Sequence, residues 1–172
     1  MRRREALVPP LLLATLFAAC AREPRVGETV KREGQPDMTY VAAEDAEMNA
    51  SIEKAQASLQ AFKAALRSRP AGADSFAVKV AFTYGRDSEE HIWLMEPSFA
   101  SGRVSGLVGN EPVNATFLRV GQEVSALESD VSDWMYVESG VLRGGYTLRV
   151  LLNRLSPSER EKQLREMGLR LE

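Results

Sequence analysis

Apolar positions along the chain fall into two periods. Met48, Ile52, Ala55, Leu59, Phe62 and Leu66 recur at spacings of three and four, which predicts one amphipathic helix with a single apolar stripe. Ser68-Arg69-Pro70 ends it, and Ala71-Gly72 turns the chain. The period then drops to two. Phe76, Val78, Val80, Phe82 and Tyr84 alternate with Ala77, Lys79, Ala81 and Thr83, as in a strand with one buried face. Gly85-Arg86-Asp87-Ser88 bends the chain into a return strand over His91–Glu96, and Gly102 precedes a third strand over Arg103–Val108. Gly109-Asn110-Glu111-Pro112 reads as a turn, Val113–Leu118 fits no single period, and Glu123–Leu127 reads as a strand. Trp134–Val137 and Val141-Leu142 flank Glu138-Ser139-Gly140 as a compact hairpin.

Leu148, Leu151, Leu152 and Leu155 restore the helical spacing close to Thr147. Ser156-Pro157-Ser158-Glu159 is a capping box with proline at the first helical position, so a second, charged helix follows as far as Met167 and stops at Gly168. A helix, a run of short strands and a helix pair define an α+β class. The expected architecture is a small, curved, mainly antiparallel sheet of five or six strands.

The front of the chain has a different character. Arg2-Arg3-Arg4 precede an apolar stretch over Ala6–Ala19, and Ala18-Ala19 lead to Cys20, the only cysteine. That stretch is shorter than the ~20 residues that cross a hydrocarbon core. It reads as a secretory signal peptide, and Leu16-Phe17-Ala18-Ala19-Cys20 resembles a lipoprotein lipobox, with Cys20 lipidated and residue one of the mature protein. Phe17 departs from the leucine commoner in that place. Residues 21–43, with Pro24, Gly27, Gly34 and Pro36 among mixed charges, read as a flexible tether, and 44–172 as one domain. Residues 1–20 carry three arginines and one glutamate, so the formal charge falls from −2 for the whole chain to −4 after Cys20. An acidic balance argues against electrostatic nucleic-acid binding and against a basic membrane-binding face. Attachment to the membrane is expected through the lipid. Ala21 after the cysteine favours the outer membrane, by resemblance to sorted lipoproteins.

Candidate chemistry is sparse. Gly144-Gly145 before a helix lacks every phosphate-loop signature and reads as a structural turn. His91 is the only histidine, and its neighbours Ile92-Trp93-Leu94 place it on a strand as a packed or hydrogen-bonded side chain. One histidine, a lipidated cysteine and no calcium-loop spacing leave no expected metal or cofactor. Asp130 and Asp133 flank Val131-Ser132 and suit acid–base work. An Asx-type turn leading into the Trp134 strand accounts for them more simply.

Glu90-His91-Ile92-Trp93-Leu94, Gly106-Leu107 with Asn110-Glu111-Pro112, and Ser132–Leu151 together resemble the YegJ-like bacterial family, domain of unknown function 2314. The resemblance spans roughly residues 48–160 and implies no activity, so no catalytic residue is assigned. The leading expectation is a lipid-anchored envelope module that binds an envelope protein or cell-wall partner. Its candidate surface comprises His91, Trp93, Asn110, Asp133, Trp134, Tyr136, Gly144, Gly145 and Tyr146. The rings of Trp134, Tyr136 and Tyr146 either line a groove at the hairpin–helix joint or fill the core under the helix pair. The alternative is a hydrolase- or transferase-like enzyme using Asp133, His91 and a tyrosine, which requires these groups to converge on one substrate atom.

Overall fold

The computed structural model describes residues 29–30, 38–39, 45–86 and 88–171. Cys20 and the leader lie outside the described residues, as do Asp87 of the first bend and most of the tether. Within the tether, β1 (Thr29–Val30) and β2 (Met38–Thr39) pair antiparallel.

Helix α1 (Ala46–Ser68) starts where the Asp45 side chain accepts the Met48 N–H at 3.0 Å, and it buries Met48, Ala55, Leu59 and Phe62. The strands follow as β3 (Ala73–Tyr84), β4 (Ser88–Ala100), β5 (Arg103–Val108), β6 (Glu123–Leu127), β7 (Val131–Glu138) and β8 (Val141–Gly144). They form one six-stranded antiparallel sheet in the order β6-β5-β4-β3-β7-β8. Two helices, α2 (Tyr146–Asn153) and α3 (Pro157–Glu166), close the chain. The α+β class with an N-terminal helix and a C-terminal helix pair is therefore the observed fold. The β8 edge is extended by the tail: Leu142 N–H donates to the Arg170 carbonyl at 2.8 Å, and Arg170 N–H to that of Gly140 at 2.9 Å.

One sheet face and α1 make the core. Phe76, Val78, Val80, Ile92, Leu94, Val104, Val108, Val131 and Trp134 close around Ala55, Leu59 and Phe62. The other face carries Lys79, His91, Trp93, Met95 and Leu107, all half-buried, so the sheet is dry on one side only.

The structure corrects one sequence reading and completes two others. Asp133 is not in a turn before a strand; β7 already begins at Val131. Lys79 pairs with Asp133 and Val80 with Val131, so Ser132 is an extra residue, a β-bulge. Val131 and Trp134 consequently both face α1, and Ser132 and Asp133 both turn to the second face. In α2 the buried residues are Thr147, Val150 and Leu152, whereas Leu148, Leu151 and Leu155 are half-buried, so the helix leaves part of the leucine stripe at the surface. Third, Val113–Leu118 belongs to neither helix nor strand; it lies in a continuous loop over 109–122.

Candidate functional site

The bulge in β7 organises the polar groups of the second face. Asp133, with no exposed surface, accepts the Trp134 and Tyr146 N–H groups on Oδ1 at 2.8 and 3.0 Å. It also accepts the Thr147 N–H and hydroxyl on Oδ2, at 2.8 and 2.7 Å. The residue before α2 is Gly145, which has no side chain to cap it, so Asp133 serves as the cap from a strand thirteen residues earlier in the chain than Tyr146. Gly144 and Gly145 make this approach feasible. Both have positive φ, and a Cβ on Gly144 would meet the Trp134 carbonyl at 2.3 Å and its ring at 2.4 Å.

Lys79 is the cross-strand neighbour of both Asp133 and Trp93. Its ammonium lies 3.5 Å from the Thr147 hydroxyl and 5.6 Å from the centre of the Trp93 ring. Burial pushes the Lys79 ammonium below the ordinary lysine range, and Asp133 opposes that shift. Burial likewise raises Asp133, against the pull of its hydrogen bonds and of Lys79. His91 sits one register step away, with Nδ1 2.8 Å from the Ser132 hydroxyl, and burial followed by the nearby Lys79 charge lowers its pKa from 6.5 to about 4. Ser132 is 3% exposed and donates to the Lys79 carbonyl at 3.3 Å, so its oxygen has little access to solvent.

The aromatic residues of the joint lie on the opposite side of the sheet. Trp134 is 6% exposed and its indole N–H reaches the Ala55 carbonyl and the Ser58 hydroxyl, at 3.0 and 3.1 Å, while its ring stacks on Phe62 at 5.3 Å. Tyr136 stacks on Phe76 at 4.9 Å, and Tyr146 meets Trp134 edge-on at 5.5 Å and accepts from Ser58. These rings pack under α1, not under the helix pair. The sequence-derived residues thus divide. His91, Trp93 and Asp133 share the second face, Trp134, Tyr136 and Tyr146 share the first, and the side chains of Tyr136 and Tyr146 are held on the α1 side, away from Asp133 and His91.

Asn110 belongs to a separate construction. Its Oδ1 accepts the Trp93 N–H at 2.8 Å, fixing the start of the loop over 109–122. The buried Glu90 carboxylate fixes the middle, accepting the N–H groups of Val113, Asn114 and Ala115 at 2.8 Å each. The loop then presents Phe117, 58% exposed, and Val120, 49% exposed. Sequence reasoning passed over Lys79, Ser132, Thr147 and Glu90. A lysine centred in Ala77-Val78-Lys79-Val80-Ala81 and a glutamate beside the only histidine were the available signals. Among the described residues, no three His, Cys, Asp or Glu side chains are grouped to hold a metal ion.

These features define a class: a one-sided antiparallel sheet packed on one long helix, with a carboxylate in a strand bulge capping the helix after the last hairpin. The chain belongs to the family described as uncharacterized protein conserved in bacteria, DUF2314, whose model matches residues 45–171. It is 31% identical over 156 residues to the uncharacterized protein YegJ of Escherichia coli K12, covering 90% of this chain and 94% of that one. It is also 32% identical over 143 residues to a Neisseria meningitidis protein named "Putative ankyrin repeat protein", covering 79% of this chain but only 56% of that longer one. No solved structure matches the chain.

Proposed function

We propose that the protein is a lipid-anchored module of the bacterial cell envelope that recognises an envelope protein and performs no chemistry of its own. The observation that carries this reading is the loop over 109–122. Loops of this length without secondary structure are uncommon in compact domains and are often functional. Here a buried carboxylate and a buried asparagine hold the loop in one shape, while Phe117 and Val120 stand in solvent. A rigid loop that exposes an aromatic ring lowers the entropic cost of association. The occurrence of a related segment in a longer chain named for ankyrin repeats supports a protein partner, since repeat arrays form extended binding surfaces. Cys20 supplies the anchor, and Ala21 directs the protein to the outer membrane.

The enzyme reading has one observation on its side, the 2.8 Å contact between His91 and Ser132. Against it, both Asp133 oxygens are committed to α2, the tyrosines lie across the sheet, and the Ser132 hydroxyl is directed to the Lys79 carbonyl.

A photo-crosslinking residue introduced at Phe117 in cells tests the proposal. It should give one discrete protein adduct in the envelope fraction, and the same residue at Lys162 on α3 should not. No adduct at Phe117, or the same ladder from both positions, overturns it. Cys20→Ser should shift the protein out of the membrane fraction or block its processing; a variant processed and fractionated like the wild type removes the anchor from the reading.

A further inference from the structure

The end of the molecule away from the Phe117 loop holds an open groove of about 700 Å³ between α2, α3 and the tail. Arg149, Arg160, Arg165 and Arg170 line it, with Glu161 as the one carboxylate among the described residues of the lining. Glu161 pairs with Arg165 at 2.6 Å. The other three guanidinium groups are held by neutral acceptors. Arg149 donates to the carbonyls of Gly144 and Leu142 at 2.8 and 2.7 Å, Arg160 to the Asn153 side-chain oxygen at 3.2 Å, and Arg170 to the Ser139 carbonyl at 2.7 Å. Their positions are set while their charges stay uncompensated among the described residues. The acidic balance of the whole chain hides this concentration, because the four arginines are spread over 22 positions of sequence.

We infer that this groove binds a phosphate group. Three charges without a carboxylate partner among the described residues suit a multiply charged anion better than a lone carboxylate, and a guanidinium offers two parallel N–H donors to phosphate oxygens. Pre-set side chains lose little further rotamer freedom on binding. Leu164, Leu169 and Leu171 supply an apolar wall beside the arginines, so the phosphate is either free or the headgroup of an anionic lipid.

Titration calorimetry on the full chain separates the sources. The probes are inorganic phosphate, the short-chain soluble lipid dihexanoyl phosphatidic acid, which is a phosphomonoester like the free ion, and acetate as a control anion. One saturable site for phosphate or the lipid is expected, with acetate much weaker and affinity falling as salt is raised. A lipid affinity tenfold or more above that of phosphate identifies a headgroup with its chains on the leucines; equal affinities identify free phosphate. Arg160→Gln, on an exposed helix where folding is not at stake, should weaken binding about tenfold with an unchanged melting temperature, and Arg160→Lys should restore part of it. Absence of saturation with either phosphate probe, acetate binding as tightly, or Arg160→Gln binding like the wild type overturns the inference.

Discussion

Asp133 shows how much can depend on one carboxylate. It receives four hydrogen bonds with no exposed surface, and Lys79 beside it is itself desolvated. Removing the carboxylate leaves the Trp134, Tyr146 and Thr147 N–H groups and the Thr147 hydroxyl without their acceptor, so Asp133→Ala should cost about 3–5 kcal/mol in urea unfolding. If it costs under 1 kcal/mol, the cap is dispensable. His91 governs a different measurement. Its pKa is depressed from 6.5 to about 4, so the unfolded chain binds this proton in a pH range where the folded one does not. The contribution of His91 is complete above about pH 6.5 and is lost as pH falls toward 4. The charges facing it are Lys79 on β3 and Asp133 on β7, with neutral Ser132 between. Between pH 7 and 4 the wild type should lose about 2–3 kcal/mol more than His91→Gln, discounted for the partial exposure of the ring. Parallel urea midpoints for the two proteins would contradict this.

At the level of elements, the β8–α2 junction turns within two residues because Gly144 and Gly145 both adopt left-handed backbone. Most of the positive-φ glycines in this fold are not equivalent to them. Gly85 and Gly121 also have positive φ, but no atom lies within 4 Å of where a Cβ would stand. Gly121→Ala should therefore cost about 1 kcal/mol of backbone strain. Gly144→Ala adds a collision with the Trp134 carbonyl and ring and should cost about 3 kcal/mol or more. Thermal unfolding of the two variants separates strain from collision, and equal shifts would show that the close approach to Trp134 relaxes. The capping box of α3 is exposed, so Ser156→Ala should cost only about 1 kcal/mol.

The whole molecule is built asymmetrically about its sheet. Every ring of the hairpin–helix joint is on the α1 side, where Phe62 contacts Phe76, Phe99, Trp134 and Tyr136 at centroid distances of 5.3–6.5 Å. Trp134→Ala should accordingly cost about 3–5 kcal/mol. Phe117→Ala, with its ring more than half exposed, should leave the melting temperature almost unchanged. That pair of results would assign Trp134 to the core and free Phe117 for recognition. A chain trimmed to begin at Glu44 retains α1, the sheet and the helix pair. It should unfold in one cooperative transition whose midpoint is the same with and without a chelator, as followed by circular dichroism.

Periodicity alone determined the class and order of the elements. The stripe from Met48 to Leu66, the alternation from Phe76 to Tyr84 and the Ser156–Glu159 box are local patterns, and local backbone physics suffices to read them. Recognition of the family rested on the same local stretches. The placement of the polar residues was beyond that reach. Whether Asp133 opens a turn or sits in a bulge depends on a register against β3 more than fifty residues away, and a single inserted residue reverses which face a side chain takes. Strict alternation put Trp134 and Tyr136 together correctly, but it could not say that α1 covers that face. The groove of arginines and the Glu90 anchor arise for the same reason. Their partners meet only when β4, the loop over 109–122 and the C-terminal helices have packed, so their charges and hydrogen bonds are set by tertiary neighbours and not by sequence neighbours.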